Sequence, residues 1–394
     1  MPFKKNVSLL MDFSKVVGQE HLISHLETTL QRGRVAHAQL WVGQSGSGLL
    51  PLALAYANRL LSAHLEQSSS TYLQAVQRVA NLNHPDLHFV YPVNTNQNIK
   101  KNPTANQFSE EWRQFVSNNP YGSLFQWFQH LGIEHKQGNI SVREAEDMSK
   151  KLSLKSYEGG YKVMIIWMAE KMNTECANKI LKLVEEPPQK TVLLLLTEQE
   201  EQLLNTITSR CQRLQVPLLS EAAIAKALQT QMYLDENTSI KISRQAHGDY
   251  NKALQIHAKS DEALVFEKWF IDWVRTAFKA KGNKKSVQEL LFWSSAMAKE
   301  GRETQKNFLA YCEELFRQAL LKNYQADSLL YLETHDAKFS LEKFAPFIHQ
   351  NNIFEIVDAL EKASYHIERN GNGKIIFSDL SMQLTRLIHR KEAL

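Results

Sequence analysis

Three short, mostly apolar runs set the tightest limit on this chain: Ala38–Val42, Lys162–Met168 and Val192–Thr197. Runs of this length without polar alternation suit strands covered on both faces, the situation inside a parallel sheet. Helical spacings lie around them. Gln19–Arg32 carries Leu22, Ile23, Leu26 and Leu30 at helical intervals. Leu49–Ala63 follows the first run, with Pro51 tolerable in its first turn. Asn173–Glu185 places Cys176, Ile180, Leu181 and Val184 on one face and is stopped by Pro187-Pro188. Ser141–Leu152 reads as a further helix, with Ser141 and Glu144 in the pattern of a capping box. This alternation predicts an α/β fold with a parallel sheet.

Beyond Ser220 no strand pattern remains. Helical spacings run through Glu221–Gln231, Thr238–Gly248, Asp261–Ala280, Ser286–Lys299, Thr304–Asn323, Leu341–His349, Phe354–Ile367 and Ser378–His389. Gly 15 and Pro 10 together make only about 6% of 394 residues, which also favours long helices. The expected organisation is an α/β core over 1–218, a small helical lid over 219–260 and a helical domain over 261–394. Asn94–Gln107 is half Asn and Gln and reads as an exposed loop. Trp112–Leu131 regains order, with Leu124, Trp127, Phe128 and Leu131 on one helical face. The stretch 94–137 is therefore expected to be an insertion into the core.

Lys+Arg 46 against Asp+Glu 42 leaves a formal charge of +4, too weak to demand a nucleic-acid partner. Three scattered cysteines, Cys176, Cys211 and Cys312, form neither a disulfide framework nor a metal pair. The start has no signal-peptide pattern, and the longest apolar runs fall far below the ~18 residues that span a bilayer. A cytoplasmic protein with no membrane segment is expected.

Gly43-Gln44-Ser45-Gly46-Ser47-Gly48-Leu49-Leu50 joins a strand to a helix, the setting of a phosphate-binding loop. In a working loop, G-x-x-x-x-G-K-[ST], backbone N–H groups surround phosphates, the Lys neutralises them and the hydroxyl holds Mg²⁺. Here Leu49 and Leu50 take those two places. The acidic residues that would end the second strand and hold the metal are also missing. Trp167 and Met168 stand there, and Glu170 comes two to three residues late. Three losses point one way: the chain is not expected to hydrolyse ATP. On its own residues the loop is a tight strand–helix turn.

Phe13-x-x-Val16-Val17-Gly18-Gln19, Arg34-Val35-Ala36-His37-Ala38 and then the glycine loop follow in order. Ala177-Asn178-Lys179-Ile180-Leu181-Lys182-Leu183-Val184-Glu185-Glu186-Pro187-Pro188, Thr197 and Thr208-Ser209-Arg210-Cys211 come after. Over about residues 10–255 this order resembles the AAA+ clamp-loader subunits of bacterial DNA polymerase III. The degenerate loop beside an intact Ser-Arg-Cys is similar to the delta-prime branch of that family. The resemblance implies an AAA+-like core with a degenerate P-loop, a lid and a C-terminal collar. It implies a non-catalytic stator in a heteropentamer with clamp-loader ATPase and delta subunits. Through that complex it would serve a sliding clamp and primer–template DNA. Arg210, supported by Ser209 and Cys211, would enter a neighbour's ATP site, where a permanently charged, forked guanidinium stabilises a transferring phosphoryl group. The alternatives are an ATP-hydrolysing clamp-loader subunit, or an inactive AAA+ scaffold acting outside replication.

Other family positions have drifted. The lid stretch Gly248–Leu254 offers Asn251 and Lys252 where the family has a second arginine. The four-cysteine zinc module of many relatives has no counterpart, since no cysteine precedes Cys176. His64, His84 and His88 read as surface histidines. No cofactor or metal is expected. Glu368–Asp379 has calcium-loop spacing but only two carboxylates, so it reads as a helix–turn–helix connector. The aromatic helix Glu267–Lys279 reads as bundle core and the basic run Lys279–Lys285 as a solvated linker.

Overall fold

The computed structural model describes residues 12–133, 136–258, 261–330, 334, 336 and 339–390. The chain divides into two compact units, Met1–Ile256 and His257–Leu394.

The first unit is built on a five-stranded, all-parallel sheet. Its strands are β1 (Ala38–Val42), β2 (Leu87–Val90), β3 (Lys162–Trp167), β4 (Thr191–Thr197) and β5 (Gln212–Gln215), in the order β2-β3-β4-β1-β5. The three expected runs form the centre of the sheet and are buried at every residue. Alternation splits each strand between two faces. Trp41, Val163, Ile165, Trp167, Val192 and Leu194 face one core, and Leu40, Met164, Ile166, Leu193 and Leu195 face the other. Two strands carried no pattern the sequence reading caught. Gln212-Arg213-Leu214-Gln215 is polar and largely exposed, and becomes a strand because β1 offers it a ladder partner.

Helices α1 (Glu20–Gln31), α2 (Leu49–Ser62) and α3 (Ser70–Ala80) lie in the first part of this unit. The serine-rich stretch before α3 is its cap: the Ser69 hydroxyl accepts from Tyr72 N at 3.1 Å. The 94–137 region contains a short 3-10 turn (Ala105–Phe108), α4 (Ser109–Asn118) and α5 (Leu124–Leu131). The single ordered stretch expected over Trp112–Leu131 is thus two helices, broken by a turn in which Gly122 N donates to Asn119 O at 2.9 Å. The expected Asn/Gln loop also ends early, since Ala105 and Phe108 are buried. Val93 and Asn139 exchange both backbone hydrogen bonds at 3.1 Å, so the region leaves and rejoins the core at one antiparallel pair. Its interior is an aromatic nest. Trp112 stacks on Tyr91 at 4.1 Å, and Trp127 meets both edge-on.

Then follow α6 (Val142–Ser153), α7 (Thr174–Glu185), α8 (Asn205–Thr208), α9 (Glu221–Met232), α10 (Glu236–Ala246) and α11 (Tyr250–His257). The capping box expected at α6 does not form: Ser141 makes no side-chain cap bond. Glu144 instead turns inward and accepts from Ala105 N, so a buried backbone donor of the inserted region has taken it. Burial pushes its carboxyl up to about 7. Between its unfolded value near ~4.3 and that value, the folded chain holds a proton the unfolded chain has released. Stability is therefore lost as pH rises through this window. Glu144→Gln keeps an oxygen for Ala105 N and removes the charge. The variant is expected to be about 2 kcal/mol more stable than wild type at pH 8, with the gain fading below pH 5. Urea unfolding at the two pH values checks this, and a gain equal at both excludes the buried charge.

Of the three histidines read as surface residues, His64 is exposed, His88 is half-buried and His84 departs from the expectation. His84 is buried, not on the surface, with Nε2 3.2 Å from the Glu158 carboxylate. His64 Nε2 lies 2.9 Å from Glu158 O, and His88 sits on β2 with burial lowering it to about 4.

The second unit holds α12 (Asp261–Lys279), α13 (Lys284–Met297), α14 (Arg302–Asn323), α15 (Leu341–Phe344), α16 (Ile353–Glu368) and α17 (Gly373–Leu387). Its described residues include no strand. Phe270, Trp273, Phe308, Phe316, Leu360 and Phe377 share one core. Trp273 stacks on Trp293 at 5.2 Å and donates to Ser381 Oγ at 2.8 Å. The calcium-like stretch is the connector from α16 to α17, with Asn372 accepting from Lys374 N and Ile375 N. The basic run joins α12 to α13, where Asn283 caps the latter.

Candidate functional site

The glycine loop leaves β1 and turns into α2. Gly43 N donates to Thr197 O at 3.1 Å, tying the loop to the end of β4. Gly46 and Gly48 have φ of +71° and +87°, which side chains with a Cβ rarely adopt. The backbone thus has the strand–loop–helix form the motif predicts. Its chemistry differs. Leu49 and Leu50 open α2 with 7% and 4% exposure, inside the same apolar cluster as Trp41 and Trp167. Neither offers a cation or a hydroxyl.

The space against the loop is filled by the chain itself. A Cβ on Gly46 would fall 1.7 Å from Asp249 Oδ1, so that carboxylate packs directly on the loop backbone. Tyr250 N donates to Gly46 O at 3.1 Å. A Cβ on Gly48 would lie 3.3 Å from the Tyr121 ring. Tyr121 comes from the turn between α4 and α5, meets Tyr250 edge-on at 4.8 Å, and accepts from Val17 N at 2.9 Å. Gln19 Nε2 donates to Ser47 O at 2.9 Å and Pro217 O at 2.7 Å. Asn251 donates to Gln126 Oε1 at 2.9 Å, and Asn119 donates to the same oxygen at 3.0 Å. Loop, lid and inserted region are one hydrogen-bonded assembly. Neither Tyr121 nor Asp249 was singled out from sequence. The Asn119-Pro120-Tyr121-Gly122 string signals a turn, but nothing local reports what its tyrosine touches.

Tyr121→Phe is expected to lower stability by about 1–2 kcal/mol, because the buried Val17 N–H loses its acceptor. Thermal unfolding checks this, and an unshifted transition would mean that water satisfies the donor.

The electrostatics at the loop run acidic. Glu170 is buried and accepts from Thr197 Oγ1 at 2.7 Å, while burial raises its carboxyl. Glu198 is pushed up to about 7 by burial and by the carboxylates of Glu170 and Asp249. Asp249 is raised by burial and held by Lys252 N at 2.9 Å. Among the described residues no group of three or more His, Cys, Asp or Glu could hold a metal ion. At the position of a metal-binding acid, Trp167 is 3% exposed with its ring 5.1 Å from Trp112. Met168 follows, buried, with φ of +55°. A cleft of about 440 Å³ lies elsewhere, between the N-terminus of α1 and the start of α9, lined by Gln19, His21, Leu218 and Ser220.

Arg210 is held apart from these groups by α8. This single turn is anchored by buried Ile207, and Ser209 N and Arg210 N close it on Asn205 O and Ile207 O, both at 3.0 Å. The Arg210 side chain is 41% exposed. Its Nε donates to Glu185, the last residue of α7. Its Nη1 donates to Thr206 O at 3.0 Å and lies 3.4 Å from Ser209 Oγ. Cys211 is half-buried, and burial pushes its thiol up to about 11, so it is unreactive.

A family model described as DNA polymerase III, delta subunit, matches residues 18–220. The delta' subunit of DNA polymerase III from Bacillus subtilis is 28% identical over 210 residues, 53% of this chain and 51% of that protein. The tau subunit from the same organism is 22% identical over 403 residues, 97% of this chain and 62% of that protein. The chain therefore spans only about half to three fifths of the length of these relatives. A solved gamma-subunit-related protein of DNA polymerase III from Thermotoga maritima superposes with a TM-score of 0.42 at 15% identity, over 92% of this chain and 99% of that one. No helix among the described residues is long and apolar enough to cross a membrane. The family match covers more than half of the chain and takes in both the glycine loop and the Ser-Arg-Cys turn, so the chain belongs to the DNA polymerase III delta-subunit family of clamp-loader proteins.

Proposed function

We propose that this chain is the delta-prime stator of a cytoplasmic DNA polymerase III clamp loader. It assembles with ATPase and delta subunits, hydrolyses no ATP itself and places Arg210 in a neighbour's ATP site. One observation carries the reading. At the glycine loop the two phosphate-handling positions are core leucines, and the Asp249 carboxylate packs on the loop backbone at Gly46. The groups present do not fit a magnesium–triphosphate: Asp249 packs on Gly46, Glu170 bonds Thr197 where Gly43 is tied to β4, and a triphosphate needs compensating cations there. Arg210 supports the second half of the reading, because it is exposed and presents a guanidinium edge to solvent. Similarity to tau along nearly the whole chain favours an ATP-hydrolysing subunit instead. Leu49 and Leu50 count against that, as they do not against a stator. The sliding clamp and primer–template DNA belong to the proposal only through the complex.

The test has two arms. Equilibrium binding of labelled ATP to the isolated chain is expected to be absent, and saturable binding would restore the ATPase reading. Single-turnover hydrolysis by the complex reconstituted with its ATPase subunits is expected to lose one site with Arg210→Ala while assembly persists. Unchanged hydrolysis in an assembled complex would leave a scaffold without a trans arginine.

A further inference from the structure

Arg210 is not a loose surface side chain. A guanidinium has one Nε–H and two terminal amino groups in a rigid plane. Here the plane is fixed from two separate elements. Nε donates to Glu185 on α7, and Nη1 donates to Thr206 O on α8 with Ser209 Oγ close by. Among the described residues Nη2 carries no hydrogen bond, so one amino group remains free on the exposed side.

Glu185 is poorly placed for its own helix. It is the last residue of α7, with Glu186 following, and carboxylates at a helix C-terminus oppose the helix dipole. An exposed ion pair contributes little to fold stability, so stability alone gives Glu185 no reason to stand there. Orientation does. An arginine that must meet an anion on another subunit loses less side-chain freedom if its plane is already set.

We propose that Glu185 is a positioning residue for Arg210. It holds the guanidinium by its Nε edge so that Nη2 is aimed, before contact, at a phosphoryl group bound on the adjoining subunit. Thr206 O and Ser209 supply the second hold. The proposal rests on the trans-arginine reading above. Two effects oppose each other here. The carboxylate partly offsets the positive charge that a phosphoryl group needs, and it also fixes the geometry. Glu185 shares the Nε edge with one N–H of Nη2, and the other N–H of Nη2 points away from it at the end of the fork; geometry there outweighs the lost charge, because preorganised donors need no rearrangement at the moment of reaction.

The experiment is single-turnover ATP hydrolysis by the reconstituted complex. Arg210→Ala identifies the kinetic phase belonging to the neighbour's site. Glu185→Ala is expected to slow that same phase about fivefold without changing the ATP concentration that half-saturates it. Glu185→Gln keeps an oxygen for Nε and is expected to stay within about twofold of wild type. The double variant is expected to match Arg210→Ala alone, since a positioning residue has nothing to position once the arginine is gone. Glu185→Ala at or above the wild-type rate, or a double variant slower than Arg210→Ala, overturns the proposal. If Arg210→Ala leaves every phase unchanged, the trans-arginine reading itself falls and takes this with it; if only Glu185→Ala is silent, that reading stands alone.

Discussion

Arg210→Ala is expected to slow hydrolysis at the neighbouring subunit's ATP site by about a thousandfold in the reconstituted complex, the scale of a lost arginine finger. The effect falls on one site. Bulk turnover should drop only by that site's share unless the sites fire together, so single-turnover kinetics is the right measurement. Arg210→Lys is expected to recover little, because a lysine is a point charge without the planar fork that can hold Glu185 and a phosphate oxygen together. Assembly should survive both changes: the side chain is 41% exposed and its ion pair adds little stability. Gel filtration of the variant complex checks assembly. Wild-type phases in an assembled Arg210→Ala complex would mean that Arg210 meets no reacting phosphate.

The second large effect is on the fold. Trp127→Ala is expected to destabilise the first unit by about 4 kcal/mol and to lower its thermal midpoint by roughly 10 °C. The ring is fully buried. It lies 5.2 Å from Tyr91, 5.3 Å from Trp112 and 5.3 Å from Phe115, and its Nε1 donates to Pro92 O at 2.9 Å. Truncation leaves a cavity and an orphaned carbonyl in the same place. Tyr121 and Gln126 stand on the elements this ring supports. Amide exchange at Val17 and Tyr250 should therefore speed up in the variant. A midpoint within about 2 °C of wild type would mean that the aromatic nest unfolds separately from the sheet.

The sheet's centre was legible because a strand covered on both faces is apolar along most of its length, as β1, β3 and β4 are, with polar residues at Gln39, Lys162, Thr191 and Thr197 only. β5 was not, because an exposed edge strand asks little of its side chains; Gln212 to Gln215 pair for lack of a better use of their backbone. Glu144 misled for a related reason. Its spacing from Ser141 fits a cap, but a buried N–H distant in sequence has the stronger claim on it. At the glycine loop, the identity of Leu49 and Leu50 could be read directly. What lies on the loop could not. Tyr121 is 104 residues from the Val17 N–H it bonds, and no periodicity reports a contact of that range. Asp249 looked like part of a drifted lid motif and is instead the group seated on Gly46.

The antiparallel pair of Val93 and Asn139 bears on how such a chain changes over generations. Its two ends stand side by side, so a two-residue turn could join them if everything between were removed, although Phe89 on β2 would lose the Trp112 ring and Glu144 on α6 would lose the Ala105 N–H. The shortened chain would keep its strand order. It would also lay Tyr91 and Trp167 bare, and exposed aromatic faces of that kind recruit other chains. The reverse holds equally. An acid placed at position 167 would enter a nest of rings. The tryptophan and the inserted region thus depend on each other: removing the region bares the ring, and replacing the ring by an acid buries a charge among aromatics.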